Sequence, residues 1–204
     1  MNTAHVRWLR SRAPLAGAAL GFTLVEILVA IVVLSFGVLG VVGMQAAALQ
    51  SNRAARNQST AIALGRELAD LMRGNKDVAL ATSTTDNPYL IANYTGTAPT
   101  ITVNCFTGSC ATPKDAAQFD MNQWLARVSA ALPQARVVVC FDDTPYQSSS
   151  GLPDWDCPNT PGETLVVKIG WTQQALSTSE GPLKATSAGS RPAVVLPLIA
   201  GSAT

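Results

Sequence analysis

Between Phe22 and Met44 the chain is apolar or glycine at every position except Thr23, Glu26 and Ser35, and Glu26 is the only charge. A helix rises 1.5 Å per residue, and about 20 such residues cross a bilayer core, so this run predicts a membrane-spanning helix. The next stretch, residues 45–73, has no proline and is rich in Ala, Leu, Arg, Gln and Glu, which keep a chain helical. Within it Ala54, Ala61, Leu64, Leu68, Leu71 and Met72 recur at three- and four-residue steps, an apolar stripe that needs a cover. Arg53, Arg56, Arg66 and Asp70 fall on other faces. Gly74-Asn75 supplies a stop signal, so one helix of ~78 Å is predicted over residues 22–73.

Residues 76–100 are polar and rich in Thr, Asn and Pro, which predicts a linking loop; Asn93-Tyr94-Thr95 inside it matches a glycosylation sequon. "TITVNC" at 100–105 reads as a short strand. Thr112, Pro113 and Asp115 make an N-cap, a first-position proline and a first-turn carboxylate. They predict a second helix over residues 113–132 that buries Ala117, Met121, Trp124, Val128 and Leu132. Three β-branched runs, 135–141, 164–172 and 193–200, read as strands, and the turn-rich segment between the first two as a loop. A three-stranded antiparallel sheet packed on the apolar stripe of the long helix would bury both surfaces, so the predicted class is α+β. Trp124 and Trp171 read as core; Trp155 reads as a partner contact or as a shield over a nearby cysteine pair.

With 14 basic and 13 acidic side chains in 204 residues, the chain lacks the cationic excess of a nucleic-acid binder. Arg7, Arg10 and Arg12 precede the apolar run with no acidic residue, which favours a cytoplasmic N-terminus, although Arg53 and Arg56 on the far side weaken the asymmetry. Gly37, Gly40 and Gly43 interrupt the apolar run, as glycines commonly do in membrane helices, or they soften it locally.

Cys105, Cys110, Cys140 and Cys157 all follow the spanning segment, an even number in a loop-rich region, which points to disulfides in an oxidising compartment. Three connectivities are open; pairing nearest neighbours closes the least chain. Zinc is the competing ligand, but neither pair has CxxC spacing and the sole histidine, His5, lies before the membrane. Asp142, Asp143, Asp154 and Asp156 crowd one loop and could hold calcium or act as an acid/base pair, though their spacing is not that of an EF-hand. With no histidine after residue 21, Ser148–Ser150 and the cysteines lack the usual basic partner for nucleophilic catalysis. No catalytic residue, cofactor or metal is expected.

Gly21, then Phe22, then apolar residues with Glu26 fifth after the glycine, then a long continuous helix, resemble the class III signal of type IV prepilins. The resemblance implies that a prepilin peptidase cuts after Gly21 and methylates Phe22. It also implies that Glu26 meets the positive N-terminus of a neighbouring subunit as helices pack into a fibre. A free α-amine has a reference pKa of about 8, and buried charges persist when paired. The macrodipole further favours Glu26 near the helix start. An ordinary secretory signal would also have a basic start and small residues near residue 21, but it has no need of Glu26.

Residues 104–141 are similar to the PilV-type minor pilins in the spacing of Cys105 and Cys110, in Asp120 and Trp124 on a helix, and in Leu132-Pro133 at its end. One departure is Gly43, where many major pilins have proline. The resemblance implies a type IV pilin-like fold: a leader at 1–21, a transmembrane half-helix at 22–44, an extramembrane half at 45–73, and a disulfide-bonded periplasmic or extracellular domain at 74–204. It implies a minor pilin that primes assembly or sits at the pilus tip and supports adhesion and twitching motility. The implied partners are the major pilin, other minor pilins, a tip adhesin and the inner-membrane assembly machinery. The location is the inner membrane before assembly and the pilus fibre after it. The alternatives are a minor pseudopilin of a type II secretion system and, in another class, a membrane-anchored periplasmic enzyme or calcium-binding protein.

Overall fold

The computed structural model describes residues 21–101, 104–174 and 181–201. The elements run α1 (Leu24–Gly74), α2 (Lys76–Ala79), β1 (Ile91–Tyr94), α3 (Pro113–Ala131), β2 (Arg136–Phe141), β3 (Leu165–Gly170) and β4 (Val194–Pro197). The chain is α+β, and it packs as two units divided after Ala46.

In the first unit the described residues are 21–23 and the N-terminal part of α1, and their large apolar side chains all lie exposed, from Phe22 and Leu24 to Val42 and Met44. α1 is long and apolar enough to cross a membrane. Ser35, a polar residue in this run, donates its hydroxyl to the Ile31 carbonyl at 2.7 Å, so that hydroxyl is satisfied within the helix.

The second unit is built on an antiparallel sheet in the order β1-β2-β3-β4. β2 and β3 are paired without interruption from Arg136↔Gly170 to Phe141↔Leu165. Because side chains alternate, Val137, Val139 and Phe141 of β2 join Leu165, Val167 and Ile169 of β3 in the main core. α1 fills that core with Ala61, Leu64, Leu68, Ala69 and Met72; α3 adds Ala117, Met121, Trp124, Leu125 and Val128. The helices meet at a buried bond from Trp124 Nε1 to the Leu64 carbonyl at 2.9 Å and at an ion pair between Arg127 and Glu67. α1 also lies close on the sheet: a Cβ on Gly65 would come within 2.5 Å of the Leu196 side chain.

The alternate residues of the central strands are buried as well, by loops. Val138, Cys140 and Val166 pack with Trp155 and Ala185 into a second, smaller core, and β3 is therefore covered on both faces.

Several expectations are met closely. The second helix has the predicted start, with Thr112 as N-cap and Asp115 completing a capping box, and all the residues expected on its inner face are buried. The strands at 136–141, 165–170 and 194–197 lie within the predicted runs.

Other expectations are corrected. The sheet has four strands, because β1 lies in the segment read as a loop; "IANY" has little β-branched content and is a strand through its pairing, Ile91↔Val139 and Tyr94↔Val137. α1 ends at Gly74, as the stop signal predicts, but the segment read as a loop from residue 76 opens with α2 after one residue, Asn75, whose side-chain amide donates to the Pro113 carbonyl at 2.6 Å. Ala54 is exposed and outside the covered stripe, which starts at Ala61. Of the strand read at 100–105, residues 102–103 lie outside the described residues and the described remainder is not in a strand.

Candidate functional site: the helix start and the clamped loops

Gly21 and Phe22 stand exposed before α1, and a side chain on Gly21 would meet nothing within 4 Å among the described residues. Thr23 caps the helix: its Oγ1 accepts the Glu26 backbone N–H at 3.2 Å, and its carbonyl accepts from Ile27. Glu26 is thus the third residue of the first turn, where a carboxylate interacts favourably with the helix N-terminus. Thr-x-x-Glu is the sequence of a capping box, a signal present in the chain that the reading of Glu26 as an assembly residue passed over. The residues expected for processing and assembly therefore fall together at one accessible helix start.

The cysteines pair as nearest neighbours, Cys105 with Cys110 and Cys140 with Cys157, with Cα separations of 5.3 and 6.3 Å. The first closes a tight turn in which Gly108 N donates to Asn104 O at 2.8 Å. Phe106 within that turn is exposed, and its ring meets Phe119 edge to face at 4.9 Å between centroids. The second bridge ties the long 142–164 loop to β2. Trp155 covers this region from a buried position; its ring lies under the Arg136 guanidinium at 4.3 Å, and its Nε1 donates to Ser190 Oγ at 3.3 Å. Trp155 is a shield over the disulfide and is not an exposed contact.

Three of the four loop carboxylates do separate jobs, and Asp156 contributes its backbone carbonyl. Asp142 is buried and pairs with the equally buried Lys168, Nζ to Oδ2 at 2.6 Å, while Lys168 also donates to the Asp156 carbonyl. The Thr164 side chain and then its backbone N–H, which donates to Asp143 at 2.6 Å, hold Asp143 below the usual carboxylate range. The Gln147 amide does the same for Asp154, at 2.7 Å. Among the described residues no group of three or more potential ligands is positioned to hold a metal ion. Lys168 went unnoticed as a candidate; the signal was its place in an otherwise apolar run, "TLVVKIGW".

A groove of about 1030 Å³ runs where the end of α1 and α2 face the start of α3, and it is lined by Arg66, Arg73 and Lys76 as well as by Glu67, Asp70 and Asp120. Burial raises the pKa of Asp120. Tyr89, fully buried beside it, is pushed up to about 12, first by burial and then by the Asp120 charge.

No known family model matches the chain, and no curated protein or solved structure matches it either.

Proposed function

We propose that this chain is a minor pilin of a type IV pilus, anchored by α1 before assembly and carried into the fibre or its tip. The observation that carries this reading is the junction at 21–26: a glycine, a phenylalanine, and a lone carboxylate at the capped start of an exposed apolar helix. Two further features support it. The folded unit is an α+β domain with a small antiparallel sheet on the second half of the same helix, and its two disulfides suit an oxidising exterior.

In the proposed mechanism no reaction is assigned to the chain. A prepilin peptidase cuts after Gly21 and methylates Phe22; the apolar surface of α1 leaves lipid for contact with other subunits, and Glu26 pairs with a neighbouring N-terminal amine. A carboxylate in hydrocarbon costs a few kcal/mol even on lenient scales, so pairing favours the assembled state over the isolated anchor. The test is the composition of fibres sheared from cells. The wild-type chain is expected in the pilus fraction and Glu26→Ala is expected to be depleted there while still present in membranes; a wild-type chain confined to membranes, or to the pseudopilus of a secretion system, contradicts the proposal.

A further inference from the structure

Along α1 the sequence from Ile27 to Arg66 holds no acidic residue, and its first cations are Arg53 and Arg56. Both are exposed, and among the described residues neither takes part in an ion pair. They are three apart, on one side of the helix. Past residue 44, where the run read as spanning ends, the uncharged stretch Gln45, Ala46, Ala47, Ala48 and Leu49 carries the apolar surface one turn further; Leu49 is exposed, and Arg53 stands one helical turn beyond it and Arg56 nearly two.

We infer that Arg53 and Arg56 form a clamp for the phosphates of anionic phospholipids on the face of the membrane where the helix emerges. The inference rests on the membrane-anchor reading above. A bilayer's headgroup layers add roughly 5–8 Å on each side of the hydrocarbon, about the length of one helical turn. Side chains on a helix tilt toward its N-terminus, which here is toward the bilayer, and arginine reaches back to an interface while its apolar stem stays against lipid. Its planar fork matches phosphate oxygens in a bidentate way. The clamp holds the neck of the helix at the membrane surface, and extracting the subunit into a fibre requires breaking it.

The test uses the full chain purified in detergent. Native mass spectrometry follows retention of added phosphatidylglycerol or phosphatidylcholine by the wild type and by Arg53→Gln/Arg56→Gln. The wild type is expected to retain phosphatidylglycerol on the order of tenfold better than the double variant, with phosphatidylcholine retained alike by both. Equal retention of phosphatidylglycerol by the two chains, or no preference of the wild type between the lipids, overturns the clamp. So does a photo-crosslinker at Asn52 in cell membranes that captures an acidic protein and no lipid. Alkaline carbonate extraction separates the two readings: a chain that stays in the membrane but shows no lipid preference loses the clamp alone, whereas a chain that is extracted loses the anchor and the clamp together.

Discussion

Lys168 sits in the middle of a strand whose other members are apolar or glycine, and its ammonium group is kept from water by loops on the outer face of the sheet. Two oxygens meet it, the Asp142 carboxylate and the Asp156 carbonyl, and these lie next to Phe141 and Cys157, so that the ion pair and the disulfide fasten the same loop. Removing one partner of a buried pair leaves the other charge without compensation. Lys168→Met should therefore destabilise the folded unit by about 3–5 kcal/mol. The additional change Asp142→Asn should recover part of that loss, because an amide oxygen can still accept from Thr144 N. Chemical denaturation of the single and double variants checks this, and losses that simply add would show that the two residues are not coupled.

A second residue-scale effect concerns alkali. Tyr89 ionises at about 12 when folded and at 10.0 as a free side chain, so the folded state holds this proton more tightly. The stability contributed by protonated Tyr89 is complete below pH 10.0 and is lost as the pH rises through about 12. Tyr89→Phe should unfold less steeply over that interval, as followed by circular dichroism against pH. Tyr89 has no signal in the chain, and Lys168 has only the oddity of one charge in an apolar run, which does not say which way the side chain faces. A lysine in a strand reads as pointing to solvent unless the cover over that face is known, and that cover comes from loops with no periodic pattern.

At the scale of elements, the parts with a period were legible and those without one were not. α1 announces itself through its long apolar run and the three- and four-residue spacing after it, α3 through its cap and the same spacing, and β2 and β3 through β-branched runs. β1 does not, because its four residues become a strand only when β2 offers them a ladder. The outer face of the sheet is the clearest case of structure hidden from the sequence. Trp155 lies on Gly170 so closely that a Cβ there would stand 2.8 Å from Cζ2 and 3.3 Å from the Ala185 Cβ. Bonding to Ser190 and stacking under Arg136 leave the indole little room to move. Gly170→Ala should cost about 1–3 kcal/mol by overpacking, with a change in tryptophan fluorescence; an unchanged melting curve would mean that the loop simply yields. The Cys140–Cys157 bridge closes 17 residues, and chain entropy for a loop near that length gives about 3 kcal/mol. Cys140→Ala/Cys157→Ala should lose stability of that order in denaturation. The five-residue Cys105–Cys110 closure should matter less to global stability.

In the molecule as a whole, an exposed apolar helix with a capped, acid-bearing start runs into a folded α+β unit with two internal disulfides. Gly21, Phe22 and Glu26 are neighbours in the chain and need no folding to come together, whereas the Thr23 cap and a helix start at Leu24, two residues past the predicted one, are seen only in the structure. What a subunit meets after assembly lies on surfaces that no single chain displays in sequence. The proposed processing at Gly21, with anchoring by the helix that follows, would be written on the mature N-terminus. Mass spectrometry of the N-terminal residue of the membrane-extracted protein, in wild type and in Gly21→Ala, tests it most directly. An N-methylated Phe22 is expected in the wild type and an uncut leader in the variant; an intact wild-type N-terminus, or a cut at another residue, would overturn the proposed processing.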